Sequence, residues 1–231
     1  MSELKSKTIL VLGASGVLGS TIATKLAGLG AQVMATSSNL ESAEKVPGVC
    51  NPRLLVDLST PESIRVLIEY LVDSEAKIDG IVNATGVVAF GNYTELDADV
   101  LQKLFAVNAT GPIQLIQGLL PALKASAAAG NDPFILTISG VVAETPMAGL
   151  AAYSASKAAL YSFTQAISRE LRRDGIRVID SRPGHTETGL AGRAIGGTAP
   201  AFPTGMSADH VADRIVKAIV EDEKDLASSA F

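Results

Sequence analysis

The stretch "TILVLGASGVLGSTIATKLAGLG", residues 8–30, has the pattern of a buried strand that turns on glycines into a helix. Residues 8–14 are an apolar run rich in Val, Ile and Leu, typical of a strand covered on both faces. Residues 16–30 show helical spacing and end on glycines, which favour helix termination. A strand followed directly by a helix predicts the start of a β–α–β crossover.

The same alternation continues along the chain. Further apolar runs predict strands at 32–37, 53–58, 80–85, 134–139 and 177–184. Helical patterns fill the intervals near 61–73, 97–124, 152–174 and 207–222. Such an order predicts the α/β class, with a doubly wound parallel sheet. No repeat or linker divides the 231 residues, so we expect a single domain.

Composition excludes several classes of protein. Hydrophobic residues make up 47% of the chain, which argues against disorder, and a net charge of −5 argues against a nucleic-acid partner. The apolar N-terminal run breaks at Gly13, and the run 104–123 is interrupted by polar residues, so we expect neither a secretory leader nor a membrane span. The single cysteine, Cys50, suits a cytoplasmic protein. No grouping of histidines and carboxylates has metal-ligand spacing.

Polar and glycine-rich segments follow the predicted strands at the point where each one ends. They read "GASGVLG", "TSSN", "DLS", "NATG", "SG" and "RPGHTET". In open doubly wound sheets, ligands bind beyond the carboxyl ends of the strands, where the strand order reverses. We therefore expect a binding crevice at this edge of the sheet.

The first of these segments has the spacing of a pyrophosphate-binding turn. Glycines serve there for the tight turn, for close approach of the backbone to phosphate and for helix–strand contact, and the helix N-terminus receives the anion. Three glycines alone are a weak signal, but these follow the first predicted strand. The residues expected to line the anion site are Gly13, Ser15, Gly16, Val17, Leu18 and Gly19.

The end of the second predicted strand bears on the choice of dinucleotide. An acid at this place would bind the ribose 2′-hydroxyl and repel a 2′-phosphate. The sequence has Ser37 and Ser38 instead, and the first carboxylate is Glu41. Hydroxyls can donate to a 2′-phosphate, so NADP(H) is favoured over NAD(H), although no arginine stands nearby.

Tyr153 and Lys157 are four residues apart at the start of a predicted helix. Side chains at that spacing share a helix face, so a phenol and an ammonium can point into one site. A neighbouring cation is expected to lower the pKa of a phenol toward the range of a useful acid–base group. Without the other motifs, an ordinary Tyr–Lys pair would explain the spacing equally well.

Six motifs in this order resemble the short-chain dehydrogenase/reductase family, almost from end to end. They are "GASGVLG" at 13–19, Asp57–Leu58, "NATG" at 83–86, Asn108, Tyr153 with Lys157, and "PGHTET" at 183–188. The ordered set is far more specific than any one motif. The resemblance implies a Rossmann fold, a nicotinamide cofactor and a small-molecule carbonyl or alcohol substrate.

The family's roles transfer to these positions as expectations. Asp57 and Leu58 would flank the adenine. The strand end beside the cofactor would be Asn83, Ala84 and Gly86. The residues facing the nicotinamide carboxamide would be Pro183, Gly184, Thr186 and Thr188. Tyr153 resembles the general acid–base, Lys157 the residue that binds the nicotinamide ribose and tunes the tyrosine, and Asn108 the residue that anchors a water in the proton relay.

The sequence departs from the family's compact branch in three ways. The glycines are spaced three and three, as in the larger sugar-nucleotide branch, whose substrate domain 231 residues do not accommodate. "NATG" replaces Asn-Asn-Ala-Gly. The catalytic serine usually stands thirteen residues before the tyrosine, where this chain has Gly140. We expect Ser139 to serve as the carbonyl donor after a one-residue adjustment; the alternative is a site that lacks this donor.

The end of the chain suggests a lid and a shortened sheet. Residues 189–205, rich in Gly, Ala and Pro, are expected to form a mobile lid that orders with ligands. A brief or absent final strand would disfavour the family's usual tetramer, so a homodimer is expected, with the tetramer as the open alternative. Candidate apolar pocket residues are Phe90, Tyr93, Met147, Leu190, Phe202 and Met206.

Two other functions compete with an NADP(H)-dependent carbonyl reductase or alcohol dehydrogenase. A nucleotide-binding regulatory protein would keep the fold and lose turnover, and Gly140 is the feature that favours it. A sugar-nucleotide epimerase or dehydratase is favoured by the glycine spacing and disfavoured by the length of the chain.

Overall fold

Seven parallel strands run through the centre of the computed structural model, which describes residues 4–231. They lie in the order β3-β2-β1-β4-β5-β6-β9. Their bounds are β1 Thr8–Leu12, β2 Gln32–Ser37, β3 Arg53–Leu55, β4 Gly80–Asn83, β5 Phe134–Ile138, β6 Arg177–Ser181 and β9 Asp225–Leu226. A separate two-stranded ribbon pairs β7, Thr186–Glu187, with β8, Met206–Ser207. The predicted doubly wound parallel sheet is confirmed.

Helices cover both faces of the sheet. Their bounds are α1 Val17–Gly28, α2 Leu40–Ala43, α3 Pro61–Asp73, α4 Ala98–Phe105, α5 Gly111–Ala128, α6 Ala151–Glu170 and α7 Ala208–Val220. α1 and α7 pack on one face, and α3, α5 and α6 pack on the other. The predicted helix at 97–124 consists of α4 and α5 with a π-helical turn, Ala106–Thr110, between them.

The two hydrophobic cores explain why the strands are apolar at nearly every position. In β1, Ile9 and Val11 belong to the core under α1 and α7, whereas Leu10 and Leu12 belong to the core under α3, α5 and α6. Successive strand side chains point to opposite faces, so a sheet with two covered faces needs apolar residues throughout.

The order of strands places the functional edge of the sheet. From β1 the chain runs outward through β2 and β3, and it then returns to lay β4 on the other side of β1. The strand order therefore reverses beyond the carboxyl ends of β1 and β4. The final strand exists but is brief, since β9 pairs with β6 through two residues. Within residues 4–231, no helix is long and apolar enough to cross a membrane.

Candidate active site

A crevice of about 670 Å³ opens at the carboxyl edge of the sheet. This volume lies within the range of small-molecule and cofactor sites. Nearly all the predicted site residues line it, namely Gly13, Ser15, Gly16, Val17, Leu18, Gly19, Ser37, Ser38, Asp57, Leu58, Ala84, Gly86, Ser139, Tyr153, Lys157, Pro183, Gly184, Thr186 and Thr188. Asn83 and Asn108 are fully buried behind its wall.

The glycine-rich turn forms one end of the crevice. Gly13 has a φ of +75°, a conformation that L side chains rarely adopt, and a Cβ on Gly19 would lie 2.4 Å from the carbonyl oxygen of Gly13. α1 begins at Val17 with no side-chain cap and no acid in its first turn. The N–H groups of that turn are free to receive an anion, and the close turn leaves space for one. This end of the crevice therefore fits a dinucleotide pyrophosphate.

Hydroxyl groups lie beside the turn, at the end of β2. Ser37 and Ser38 line the crevice together with Asn39, whose side chain caps α2 by accepting from the N–H of Ser42. Asp57 follows at the next strand end, and its carboxylate accepts from the backbone N–H of Ser59 at 2.9 Å and the hydroxyl of Ser59 at 2.6 Å. Burial raises the pKa of Asp57, but the hydrogen bonds from Ser59 lower it, and the pKa lies below its ordinary value.

Asn83 lies at the end of β4 but does not line the crevice. Its Oδ1 accepts from the backbone N–H of Thr85 at 3.2 Å and from the Thr85 hydroxyl at 2.5 Å. The amide therefore shapes the turn that carries Ala84 and Gly86 to the crevice. The motif predicts that Asn83 lies beside the cofactor, but this geometry favours a supporting role behind the crevice wall.

Tyr153 and Lys157 meet at the other end of the crevice, on the first turns of α6. The Lys157 ammonium is 4% exposed and donates to the carbonyl of Ile138 at 2.8 Å and that of Thr85 at 3.4 Å. The first carbonyl belongs to the last residue of β5, and the second belongs to the turn after β4. A Cβ on Gly86 would lie 3.3 Å from Lys157 Nζ, so the turn after β4 closes tightly over the amine.

Burial controls the charge of both groups. It raises the pKa of Tyr153 to about 12 and lowers the pKa of Lys157 to about 8, where the negative charge of Asp180 opposes the lowering. Desolvation disfavours the charged form of any group, which here means the phenolate and the ammonium. The lowered tyrosine pKa that the sequence led us to expect is therefore not found, because burial raises it. At neutral pH the phenol carries its proton.

Asn108 lies in the π-helical turn between α4 and α5. Its side chain accepts from the N–H of Val87 at 2.8 Å and donates to the carbonyl of Val87 at 2.9 Å and to Ser156 Oγ at 3.0 Å. The backbone carbonyl of Asn108 lacks the usual α-helical hydrogen bond from the residue four positions on, because that residue is Pro112, which has no N–H. Such π turns are frequent at functional sites.

Ser139 contributes to the crevice wall, but its side chain is fully buried. Its hydroxyl donates to Asp180 Oδ2 at 2.7 Å. The hydroxyl has one proton, and this hydrogen bond directs it toward Asp180 and away from the crevice. The alternative in which the site works without this donor is the one that the geometry favours.

Gly140 has a backbone that only glycine adopts readily, with φ 77° and ψ 162°. The N–H groups of Gly140 and Val141 donate to the carbonyls of Ser181 and Pro183. These bonds fix the turn after β5 to the segment after β6. A serine at position 140 would strain this turn, so the glycine is part of the local architecture.

An apolar chamber adjoins Tyr153. Of the predicted pocket residues, Phe90, Met147, Leu190 and Phe202 line the crevice. Tyr93, 73% exposed, does not, and Met206 in β8 packs on the core under α1 and α7. Residues 189–205 lie over the chamber and are joined to the loop after β4 by two backbone hydrogen bonds, from Ile195 to Val88 and from Phe90 to Gly196.

The model of the family described as short chain dehydrogenase matches residues 7–196 of this chain. The chain belongs to the short-chain dehydrogenase family. It is 32% identical over 199 residues to an uncharacterized oxidoreductase of Staphylococcus saprophyticus, covering 83% of each chain.

Solved members of the short-chain dehydrogenase family share the fold. A short-chain dehydrogenase from Sphingobium yanoikuyae, solved with NADPH, has a TM-score of 0.83 at 24% identity, over 96% of this chain and 87% of that one. A 3-ketoacyl-(acyl-carrier-protein) reductase from Brucella melitensis, solved with NADH, also has a TM-score of 0.83 at 24% identity, over 98% and 99% of the two chains.

The sequence places His185 between Gly184 and Thr186, where it can approach the nicotinamide side of the crevice or lie as a partly exposed loop residue. His185 lines the crevice, stacks on Phe202 with ring centroids 5.0 Å apart, and lies 3.4 Å from Glu187. Asp180 and Arg182, behind the catalytic end, were read only as part of a strand. Two opposite charges at alternate positions of the predicted strand 177–184 were the available signal, because buried charges need partners.

Proposed function

We propose that this protein is an NADP(H)-dependent oxidoreductase that interconverts a ketone and a secondary alcohol. The observation that carries the proposal is a single crevice. One end is a glycine-rich turn with free helix N–H groups, and the other holds the partly buried Tyr153 and the buried Lys157. When bound, a nicotinamide nucleotide supplies or accepts the hydride.

Tyr153 acts as the general acid when the substrate is a ketone. Its phenol is protonated at neutral pH because burial raises its pKa to about 12. As negative charge develops on the carbonyl oxygen, the phenol donates its proton to that oxygen. In the reverse direction Tyr153 accepts the proton of the alcohol.

Lys157 and Asn108 support this proton transfer. The Lys157 ammonium is fixed by two carbonyls one helical turn from the tyrosine, so its charge stabilises the phenolate left after donation. The carbonyl of Asn108, which has no N–H partner at Pro112, is available to hold a water that returns a proton from solvent. Ser139 acts through Asp180 rather than on the substrate.

The preference for NADP(H) is supported by the end of β2. Ser37 and Ser38 line the crevice there, and a 2′-phosphate would meet hydroxyls instead of a carboxylate. We expect Ser37→Asp to weaken NADPH binding relative to NADH by about tenfold or more, because like charges oppose each other. Fluorescence titration of both nucleotides measures this ratio. Ser162→Asp, exposed on α6 and not part of the crevice, is the control for an added surface charge.

Uncharged, mainly apolar carbonyl compounds suit the chamber beside Tyr153. Its wall is formed by Val142, Leu150 and the aromatic rings of Phe90 and Phe202, whose centroids are 5.9 Å apart. Medium-sized ketones and quinones are the substrate classes that match this lining.

The test is oxidation of NADPH and NADH, in parallel, against a panel of ketones, quinones and acyl thioesters. We expect NADPH oxidation with an apolar ketone or quinone, and no oxidation by Tyr153→Phe. Tight NADPH binding without turnover on any carbonyl would instead support a nucleotide-binding regulatory protein, the second candidate, which Gly140 favours.

A further inference from the structure

A charged cluster is buried directly behind the catalytic end of the crevice. Asp180 on β6 is 1% exposed and accepts three side-chain hydrogen bonds: from Thr137 at 2.8 Å, from Ser139 at 2.7 Å and from Arg182 at 2.7 Å. Arg182 is 2% exposed, and its guanidinium also binds Glu144 and forms a bidentate pair with Asp225 at 2.8 and 2.9 Å. One cation therefore faces three carboxylates.

This cluster is linked to Lys157 through the end of β5. Thr137 and Ser139 are alternate residues, so their side chains reach the same carboxylate, and the carbonyl of Ile138 between them accepts from the Lys157 ammonium at 2.8 Å. Asp180 thus fixes both sides of the peptide that anchors the amine. Its charge also acts on Lys157 across a buried, weakly screened space.

We propose that Asp180 is a positioning residue for the reaction, which holds the Lys157 anchor in place and keeps Lys157 charged in the dry crevice. The inference rests on the proposed function for its catalytic meaning, but the charge of Lys157 is measurable without turnover. A buried amine loses its proton readily unless an anion is near. The net negative cluster behind β5 provides that anion, and the uncharged neighbours Tyr153 and Asn108 do not.

The groups around Lys157 decide the sign of the effect. Asp180 comes from β6, and Arg182 is the residue directly after that strand. Glu144 comes from the turn after β5, Asp225 from β9, and Tyr153 from α6 itself. Removing the negative charge of Asp180 leaves Arg182 less compensated, and both changes disfavour the ammonium. Loss of Asp180 therefore lowers the pKa of Lys157.

The primary experiment is an NMR titration of ¹³C-labelled lysine in the free protein, with the Lys157 signal assigned by its absence from Lys157→Arg. We expect Asp180→Asn to lower the pKa of Lys157 by about one unit or more. The matched control is Thr137→Val, which removes one hydrogen bond to the same carboxylate but keeps the charge. We expect that control to leave the pKa in place. In kinetics with NADPH and the best ketone, the high-pH limb of kcat/KM should move to lower pH in Asp180→Asn alone.

An unchanged Lys157 pKa in folded Asp180→Asn would overturn the proposal, as would an equal shift in Thr137→Val. If Asp180→Asn does not fold because Arg182 loses its partner, the double variant Asp180→Asn/Arg182→Gln removes both charges. Because the charge of Asp180 is the one that acts on Lys157, the pKa of Lys157 should still fall, by less than in the single variant. No change there also overturns it. If Asp180→Asn lowers the pKa of Lys157 but the wild type reduces no carbonyl compound, the proposed function is contradicted, whereas the electrostatic effect of Asp180 on Lys157 is supported.

Discussion

At the phosphate end the wall of the crevice is backbone, whereas at the catalytic end it is a set of buried side chains. The phosphate end comes from one turn and the start of one helix, Gly13 to Gly19. The catalytic end joins residues from β4, β5, β6 and α6 and the π turn around Asn108. The glycine-rich turn is local and its geometry fits a constant chemical group, a pyrophosphate. The network drawn from distant segments adjusts the charge of the two side chains to which we assign the chemistry, Tyr153 and Lys157.

The two ends also differ in their energetic cost. A glycine turn exposes N–H groups that water satisfies in the free protein, so it costs little. Tyr153 and Lys157 lie in a dry space that moves the pKa of each away from its ordinary value. Substitutions at the catalytic end should therefore alter chemistry or stability, and those at the phosphate end should alter cofactor binding.

The largest expected effect is that of Tyr153→Phe on turnover. Removal of the proton donor should reduce kcat by about 10²–10⁴-fold while NADPH affinity changes little, because the phenol acts on substrate. Tyr161→Phe is the matched control on the same helix, since it keeps the ring that lies 4.6 Å from the Arg182 guanidinium. Stopped-flow reduction and nucleotide titration measure the two quantities. A Tyr153→Phe enzyme with wild-type kcat would remove the catalytic assignment.

Gly19→Ala should have the opposite signature at the phosphate end. The added Cβ would lie 2.4 Å from the carbonyl oxygen of Gly13, so the turn must open and α1 must move. We expect NADPH affinity to fall about tenfold to a hundredfold, in line with the cost of overpacking. Gly28→Ala, at the other end of α1, meets nothing within 4 Å and should bind NADPH normally. Equal affinities for the two variants in nucleotide titration would contradict the close-turn explanation.

The phosphate end and the sheet are predictable from sequence because their signals are local. Apolar runs and the glycine spacing predicted six of the seven strands and the crevice edge. β9 escaped prediction because two residues carry no periodicity. The π turn escaped because one extra residue in a helix hardly changes the apolar pattern.

The catalytic end is less predictable, because its properties depend on contacts between distant segments. The motif predicted which residues meet, and Tyr153 and Lys157 do share the crevice. It did not predict that Asp180, 41 residues from Ser139, would accept the hydrogen bond of the serine hydroxyl, nor that burial would raise the pKa of Tyr153. Burial and long-range partners follow from the packed fold.

Lys157→Met tests the cost of the buried amine. The pKa falls from 10.5 to about 8, which corresponds to a penalty of about 3 kcal/mol for the charged form at neutral pH. We expect the variant to be inactive yet more stable than wild type by about 1–2 kcal/mol at pH 7, since the carbonyls of Ile138 and Thr85 lose their donor and offset part of the gain. Urea unfolding measures this difference, and a less stable variant would contradict it.

The pH dependence of that comparison has a definite sign. Between pH 8 and 10.5 the unfolded chain holds the Lys157 proton more tightly than the folded protein does, so the wild type gains stability as pH rises through this window. The advantage of Lys157→Met should shrink over the same window. A constant difference across it would mean that folding does not lower the pKa of Lys157.

The smallest expected effect on activity is that of Ser139→Ala, which tests how the catalytic end handles the substrate oxygen. Because the Ser139 hydroxyl donates to Asp180, its loss should lower kcat by less than about tenfold, against about a hundredfold or more for a lost carbonyl donor. Stability should fall by about 1.5–3 kcal/mol, the usual worth of a hydrogen bond to a charged group. Gly140→Ser is the companion variant: with φ at 77° it should strain the turn after β5 and fail to raise activity. A hundredfold fall in kcat in Ser139→Ala would mean that the serine hydroxyl donates to the substrate oxygen. The Asp180 contact would then have to open during the reaction, and the catalytic end would be a moving network instead of a fixed one.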